Sequence, residues 1–246
     1  MPGEVLVGQF LLNQDKQLKA ALFDFDLTLA DSTAAAAACI THALKNLGFP
    51  VASPDAVHRT IGLSLEVTLE TLTGNRDPSV QIRFRDLFVQ HADVVMVAQT
   101  EFLDGVPSAL SALRDRGLRL AIVSTKYRYR IEAILERHGA RDLFDLIVGG
   151  EDTSAHKPDP EGLDRALKGL GVSGMQSVYV GDHVVDAQAA MRAAVPFVPV
   201  LTGATERADF LGFPHLEILD SVSDLPSFLS EVGAWPPEGA TPDPSP

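Results

Sequence analysis

The sequence predicts an α/β fold: a doubly wound parallel sheet carrying an α-helical insertion after its first strand. Three observations carry that prediction. Short apolar runs recur along the chain, and the segments between them have the length and composition of helices. The alternation is interrupted once, between the first run and the helix that opens at Val106, by a stretch that reads as almost wholly helical. Polar residues cluster where the apolar runs end, which is where an open parallel sheet binds its ligands.

The elements follow in order. The first strand is expected over residues 18–25 (LKAALFDF), a short apolar run ending in acids. The insertion then breaks into helical pieces at 33–47, 54–58, 64–72 and 79–98. Gly48-Phe49-Pro50, Ile61-Gly62-Leu63 and Gly74-Asn75 separate them. After it, strands are expected at 118–124, 144–148, 177–180 and 197–201, alternating with helices at 106–116, 127–138, 160–170 and 186–194. The domain organisation this implies is a core made of residues 1–31 and 102–235, a cap of residues 32–101, and a disordered tail over 236–246. The tail (PPEGATPDPSP) has no apolar residue large enough to anchor it. The segment before Lys16 (VLVGQFLLNQ) reads as an added strand or hairpin. There is no internal repeat.

Composition excludes several classes of function. The formal net charge is −13 and no basic stripe is present, so nucleic acid is not an expected partner. No apolar run approaches the roughly 20 residues a membrane span needs, and the N-terminus lacks a secretory pattern; a cytoplasmic location is the expectation. Cys39 is the single cysteine, which rules out an internal disulfide and a cysteine-built zinc site and suits a small buried apolar residue. An acidic protein that handles an anionic substrate needs local cations, and a bound metal supplies them.

The chemistry-bearing residues stand at successive strand ends. Asp24-Phe25-Asp26-Leu27-Thr28 places two carboxylates one residue apart; alone, such a pair also fits a strand end capped by solvated acids. Ser124 closes the second strand, Lys157 lies in His156-Lys157-Pro158-Asp159-Pro160, and Gly181-Asp182-His183-Val184-Val185-Asp186 follows a later strand. Pro158 disfavours a helical Lys157, while Asp159 and Pro160 read as the N-cap and first residue of the next helix.

In their order and spacing these residues resemble the four motifs of the haloacid dehalogenase superfamily, over roughly Leu18 to Leu201. Within it the sequence looks like the phosphoglycolate-phosphatase-like branch, in which a helical cap is inserted between the first and second motifs. The resemblance implies a Rossmann-like core and magnesium-dependent hydrolysis of a small phosphorylated metabolite, with the second acid, Asp26, pointing to phosphoryl transfer. Phosphate monoesters hydrolyse extremely slowly unaided, so a covalent route with strong electrostatic help is expected. Asp24 is the expected nucleophile and Asp26 the general acid and then base. Ser124 is expected to donate to a phosphoryl oxygen and Lys157 to neutralise phosphate and Asp24. The carboxylates of Asp24 and Asp182 and the backbone carbonyl of Asp26 are expected to hold Mg2+, with Asp186, one helical turn on, holding metal waters or Lys157. Thr28, Gly62, Ser64, Thr125 and Lys126 complete the expected substrate contacts.

Departures from the family pattern are Leu27, where glycine is common, and Thr125, where many relatives have asparagine. Leu27 is expected to stiffen the turn after Asp26. The turn Ile61-Gly62-Leu63-Ser64 reads either as the cap loop that enters the site or as an ordinary helix connection. Leu65 stands where related mutases often carry an arginine, which weakens a mutase reading and suggests a less charged leaving group. A catalytically silent relative is the remaining alternative, and the intact Asp24, Asp26, Ser124, Lys157 and Asp182 argue against it. Arg130 is expected in a solvated helix start, His183 in a loop outside the metal's ligands, and Phe84, Phe88 and His91 in the packing of the last cap helix.

Overall fold

A computed structural model of the chain describes residues 18–233. The expectations for the segment before Lys16 and for the tail lie outside them. Five parallel strands form one sheet: β1 (Ala20–Phe23), β4 (Arg119–Val123), β5 (Leu146–Val148), β6 (Ser177–Gly181) and β7 (Phe197–Pro199), in the order β5-β4-β1-β6-β7. This is the expected doubly wound α/β arrangement, with β1 in the middle.

Both faces of the sheet are covered, so its strands are apolar on alternate residues of both sides rather than on one. Phe23, Ile122 and Val180 face helices α5 (Val106–Asp115), α6 (Arg128–Arg137) and α10 (Leu225–Glu231) through Leu110, Ile134 and Leu229. Leu22, Val123 and Tyr179 face α7 (Glu161–Leu170) and α8 (Val184–Ala193) through Leu163 and Ala190. Helix α10 and the short α9 (Arg207–Phe210) carry no strong periodic signal and were not among the sequence expectations; Phe210, Leu225 and Leu229 hold them to the core by full burial.

Four helices occupy the insertion: α1 (Thr33–Asn46), α2 (Pro54–His58), α3 (Leu65–Thr73) and α4 (Pro78–Gln99). Their starts are written locally. Ser53, Ser64 and Asp77 are N-caps whose side chains accept from the backbone N–H of Ala56, Val67 and Ser79, and proline opens two of the three helices. Gly74 ends α3 with φ 71°, a left-handed conformation that costs glycine nothing. Ala36, Ile40, Leu44, Leu69, Phe84, Phe88 and Met96 close the helices around their own apolar centre, as expected for Phe84 and Phe88, and Cys39 is buried there. A two-stranded antiparallel ribbon, β2 (Ala30–Asp31) with β3 (Glu101–Phe102), joins the two ends of the insertion to the core. Among the described residues, no helix is long and apolar enough to cross a membrane.

Leu27 ties the two parts together. It sits on the turn after β1 with φ 58°, the conformation a glycine adopts freely, yet its buried side chain packs in the apolar cluster of the insertion. The strain costs about 1–2 kcal/mol, while burial of a leucine returns about 1.5–3 kcal/mol. Leu27→Gly is therefore expected to lower stability by about 1 kcal/mol, since relief of strain is outweighed by lost packing and by the entropy of a glycine in the unfolded chain. Urea unfolding reads the difference, and a gain in stability would show that strain dominates at this turn.

Candidate active site

The parallel register lines up the strand ends. Phe23 pairs with Ile122 on one side and Val180 on the other, so the residues that follow leave the sheet side by side at its C-terminal edge. Asp24, Ser124 and Asp182 are the polar groups delivered there, and all three are buried.

Asp24 is held at both oxygens. Oδ1 accepts from the Phe25 N–H at 2.7 Å, and Oδ2 lies 2.8 Å from Lys157 Nζ. Lys157 Nζ also lies 2.6 Å from Asp186 Oδ1 and donates to Tyr179 Oη at 3.3 Å, so all three ammonium hydrogens have partners. Asp186 receives a further bond from Tyr179 Oη at 2.8 Å and accepts the His183 N–H through Oδ2 at 3.0 Å. Thr28 donates to Asp182 Oδ1 at 2.7 Å. Asp24, Asp182 and Asp186 each present an oxygen, and these lie within 4.8 Å of one another.

Three buried carboxylates around one lysine leave an excess of negative charge. Burial, with repulsion from Asp186 and Asp26, raises the Asp24 pKa from 3.8 to about 6, against the pull of Lys157. Burial, with repulsion from Asp186 and Asp24, likewise pushes Asp182 well above the usual carboxylate range. Burial by itself would lower Lys157, but Asp186 and Asp24 hold its ammonium above the ordinary lysine range. Hard oxygen donors, buried and short of positive charge, suit a divalent cation of the magnesium type.

Asp26 lies on the cap side of this group. Its Oδ1 accepts from Ser32 Oγ at 2.6 Å and lies 3.1 Å from Lys126 Nζ. Lys126, expected at the substrate, is buried, and its Nζ also approaches Met96 Sδ of α4 at 3.2 Å. Ser124 Oγ accepts the Lys126 N–H at 3.3 Å. Gly62 reaches the site from the insertion: its φ is +90°, a Cβ built on it would stand 3.9 Å from Asp24 Oδ2, and its carbonyl accepts from Thr125 Oγ1 at 3.1 Å. A cavity of ≈ 90 Å³ opens beside Asp26 between insertion and core, with Gly62, Ser64, Thr125 and Lys126 in its wall. Thr28 is turned away from that cavity onto Asp182.

Other residues stand differently from their sequence expectations. Arg130 is not solvated: it is 3% exposed, its Nε donates to Asp93 Oδ1 of α4 at 2.7 Å, and its guanidinium lies 5.1 Å from the ring centres of Tyr127 and Tyr129. A helical position that would face water in the core alone is covered because the insertion folds over it. His183 is the N-cap of α8 rather than a free loop residue, with Nδ1 accepting the Val185 N–H at 3.2 Å, and burial lowers its pKa. The N-cap of α7 is Pro160, with Asp159 one position earlier accepting the Glu161 N–H at 2.9 Å. His91 stacks on His42 of α1 with ring centres 4.5 Å apart.

Sequence reasoning missed three supporting residues. Tyr179 holds Asp186 and Lys157; a tyrosine inside an otherwise apolar central strand was the available signal, because a buried hydroxyl needs a partner. Ser32 binds Asp26 and had no signal beyond proximity. Gly203, just past β7, passes so close to Asp182 that a Cβ there would meet Oδ2 at 1.9 Å. Its signal was a glycine at the C-terminal edge of the sheet.

The site has relatives. Residues 21–200 match the family model described as haloacid dehalogenase-like hydrolase. A phosphoglycolate phosphatase of Colwellia psychrerythraea is 31% identical over 219 residues, covering 86% of this chain and 96% of its own. One from Aquifex aeolicus is 31% identical over 186 residues, covering 76% of this chain and 86% of its own. Among solved structures, one from Bacteroides fragilis, described as a haloacid dehalogenase-like hydrolase, superposes with a TM-score of 0.83 at 38% identity, covering 85% of this chain and 100% of that one.

Proposed function

This chain belongs to the haloacid dehalogenase-like hydrolases, and from that membership we propose that it is a magnesium-dependent phosphatase of small organic phosphomonoesters. The observation that carries the reading is the Asp24 carboxylate, fixed by Lys157 at 2.8 Å beside two further buried carboxylates and close to Gly62, which lines a cavity between insertion and core. The names of the relatives, phosphoglycolate phosphatases, support a phosphate monoester as substrate.

In this reading an Asp24 oxygen attacks phosphorus and the ester P–O bond breaks, leaving an aspartyl-phosphate. Asp26 gives its proton to the departing alkoxide and takes one back from the water that then attacks the intermediate, so Asp24 is regenerated and inorganic phosphate leaves. Ser124 and the backbone N–H groups of its loop hold the phosphoryl oxygens; Lys157 offsets their charge and that of Asp24. Magnesium held by the Asp24 and Asp182 carboxylates and the Asp26 carbonyl would supply the positive charge that lets carboxylate and phosphate approach. Asp186 orients Lys157, and residues 32–101 act as the cap that excludes water and selects the leaving group.

The direct test is release of inorganic phosphate from a panel of phosphate esters. Release should cease on chelation, return with magnesium, and be inhibited by calcium, whose larger and looser shell misplaces the phosphate. Persistence after thorough chelation removes the metal from the scheme.

Metal binding also predicts a pH signature. Without cation, the folded state holds the Asp24 proton more tightly than the unfolded chain does, so this group's contribution to stability falls as pH rises from 3.8 to about 6. A cation competes with that proton and relieves the repulsion it leaves behind. The rise in melting temperature caused by millimolar magnesium is therefore expected to be larger at about pH 7.5 than at about pH 5. An equal or smaller shift at the higher pH argues against a cation on these carboxylates.

A further inference from the structure

The cavity beside Asp26 carries information about the leaving group. Its wall is apolar over Ile40, Ile61, Leu65, Phe88, Val89 and Met96, contributed by the insertion. The cationic side chains that reach it are Arg85, Lys126 and Arg130, and each is already engaged within the protein. Arg85 Nη2 lies 3.1 Å from Asp86 Oδ1, Lys126 Nζ lies 3.1 Å from Asp26 Oδ1, and Arg130 Nε lies 2.7 Å from Asp93 Oδ1. Glu66 adds a carboxylate to the lining. A carboxylate or a second phosphate on the leaving group would meet an acid, and the buried cations it could reach, Lys126 and Arg130, are already paired, in a chain already at −13.

A ligand that fills the cavity against apolar walls gains from every methylene it buries, whereas a small anion leaves that surface wet.

Resting on the phosphatase reading, we propose that this enzyme selects phosphomonoesters of uncharged alcohols with a short apolar body, in preference to phosphoglycolate. The phosphate sits at Asp24, and the alcohol's apolar part lies against Leu65, Phe88 and Met96. Discrimination comes from the insertion's side chains. The machinery at the strand ends serves any monoester alike.

The test uses the full chain with magnesium and three primary alkyl phosphates of similar intrinsic reactivity: ethyl phosphate, propyl phosphate and phosphoglycolate. The expected kcat/KM for propyl phosphate exceeds that for phosphoglycolate by about tenfold or more. Leu65→Arg places a cation on the wall at the half-exposed start of α3 and is expected to shift that ratio at least about tenfold toward phosphoglycolate, in a variant that still melts cooperatively at a somewhat lower temperature because Leu65 packs on the insertion's apolar centre. Preference of the unmodified protein for phosphoglycolate over both neutral esters overturns the inference and leaves the phosphatase reading standing. A ratio unmoved by Leu65→Arg in a folded variant overturns the assignment of this wall as the selecting surface. Release from none of the three esters defeats the phosphatase reading itself.

Discussion

Asp24→Asn is expected to reduce phosphate release by about four orders of magnitude or more while the protein stays folded. An amide keeps the shape of the carboxylate but is no nucleophile. The Phe25 N–H can still donate to the amide oxygen as it does to Oδ1 at 2.7 Å. Lys157 loses one of its two carboxylates but keeps Asp186 at 2.6 Å, so its charge is not stranded. Removing one of three crowded buried carboxylates also relieves part of the repulsion that, added to burial, raises Asp182. Turnover with a phosphate-ester substrate, a melting curve and circular dichroism together decide the matter. A folded variant that turns over at the rate of the unmodified protein would remove Asp24 from the nucleophile's role.

Lys157→Met is expected to damage both stability and activity. The Lys157 side chain is 4% exposed and lies between Asp24 and Asp186, so its loss leaves two buried charges facing each other without a cation. Breaking a buried pair on one side costs about 3–5 kcal/mol. Turnover should fall by about 10³-fold, because the phosphoryl group and Asp24 lose their fixed counter-charge. The deficit in stability should shrink as pH falls, since protonating Asp24 removes one of the stranded charges. Adding Asp186→Asn to the same chain should recover much of the stability but none of the rate. Urea midpoints for the single and double variants, beside their initial rates, separate the two effects. A single variant as stable and active as its parent would sink the placement of Lys157 between the carboxylates.

The alternation of apolar runs with helical segments was enough to read β1, β4, β5, β6 and β7 within a few residues, because parallel strands buried on both faces are apolar throughout. The helices of the insertion were legible for a different reason: Ser53, Ser64, Asp77, Pro54 and Pro78 write their starts locally. The elements after Leu201 were not legible. Helices α9 and α10 are short, and they exist because Phe210, Leu225 and Leu229 find a core made by distant strands.

At the site the same division holds. The residue types at the strand ends, two acids one apart, a hydroxyl, a lysine before proline and a later pair of aspartates, state the chemistry in the sequence itself, since nucleophile, cation and metal-binding oxygens are properties of side chains. What they touch is a matter of the fold. Only the three-dimensional arrangement placed Tyr179 on Asp186, Gly203 against Asp182, Leu27 in the insertion's apolar centre, and Arg130 on Asp93. Apart from Tyr179 and Asp186, which are seven residues apart across a turn, these contacts join residues far apart in the chain, and a linear pattern carries local propensity but not the distance between its own ends.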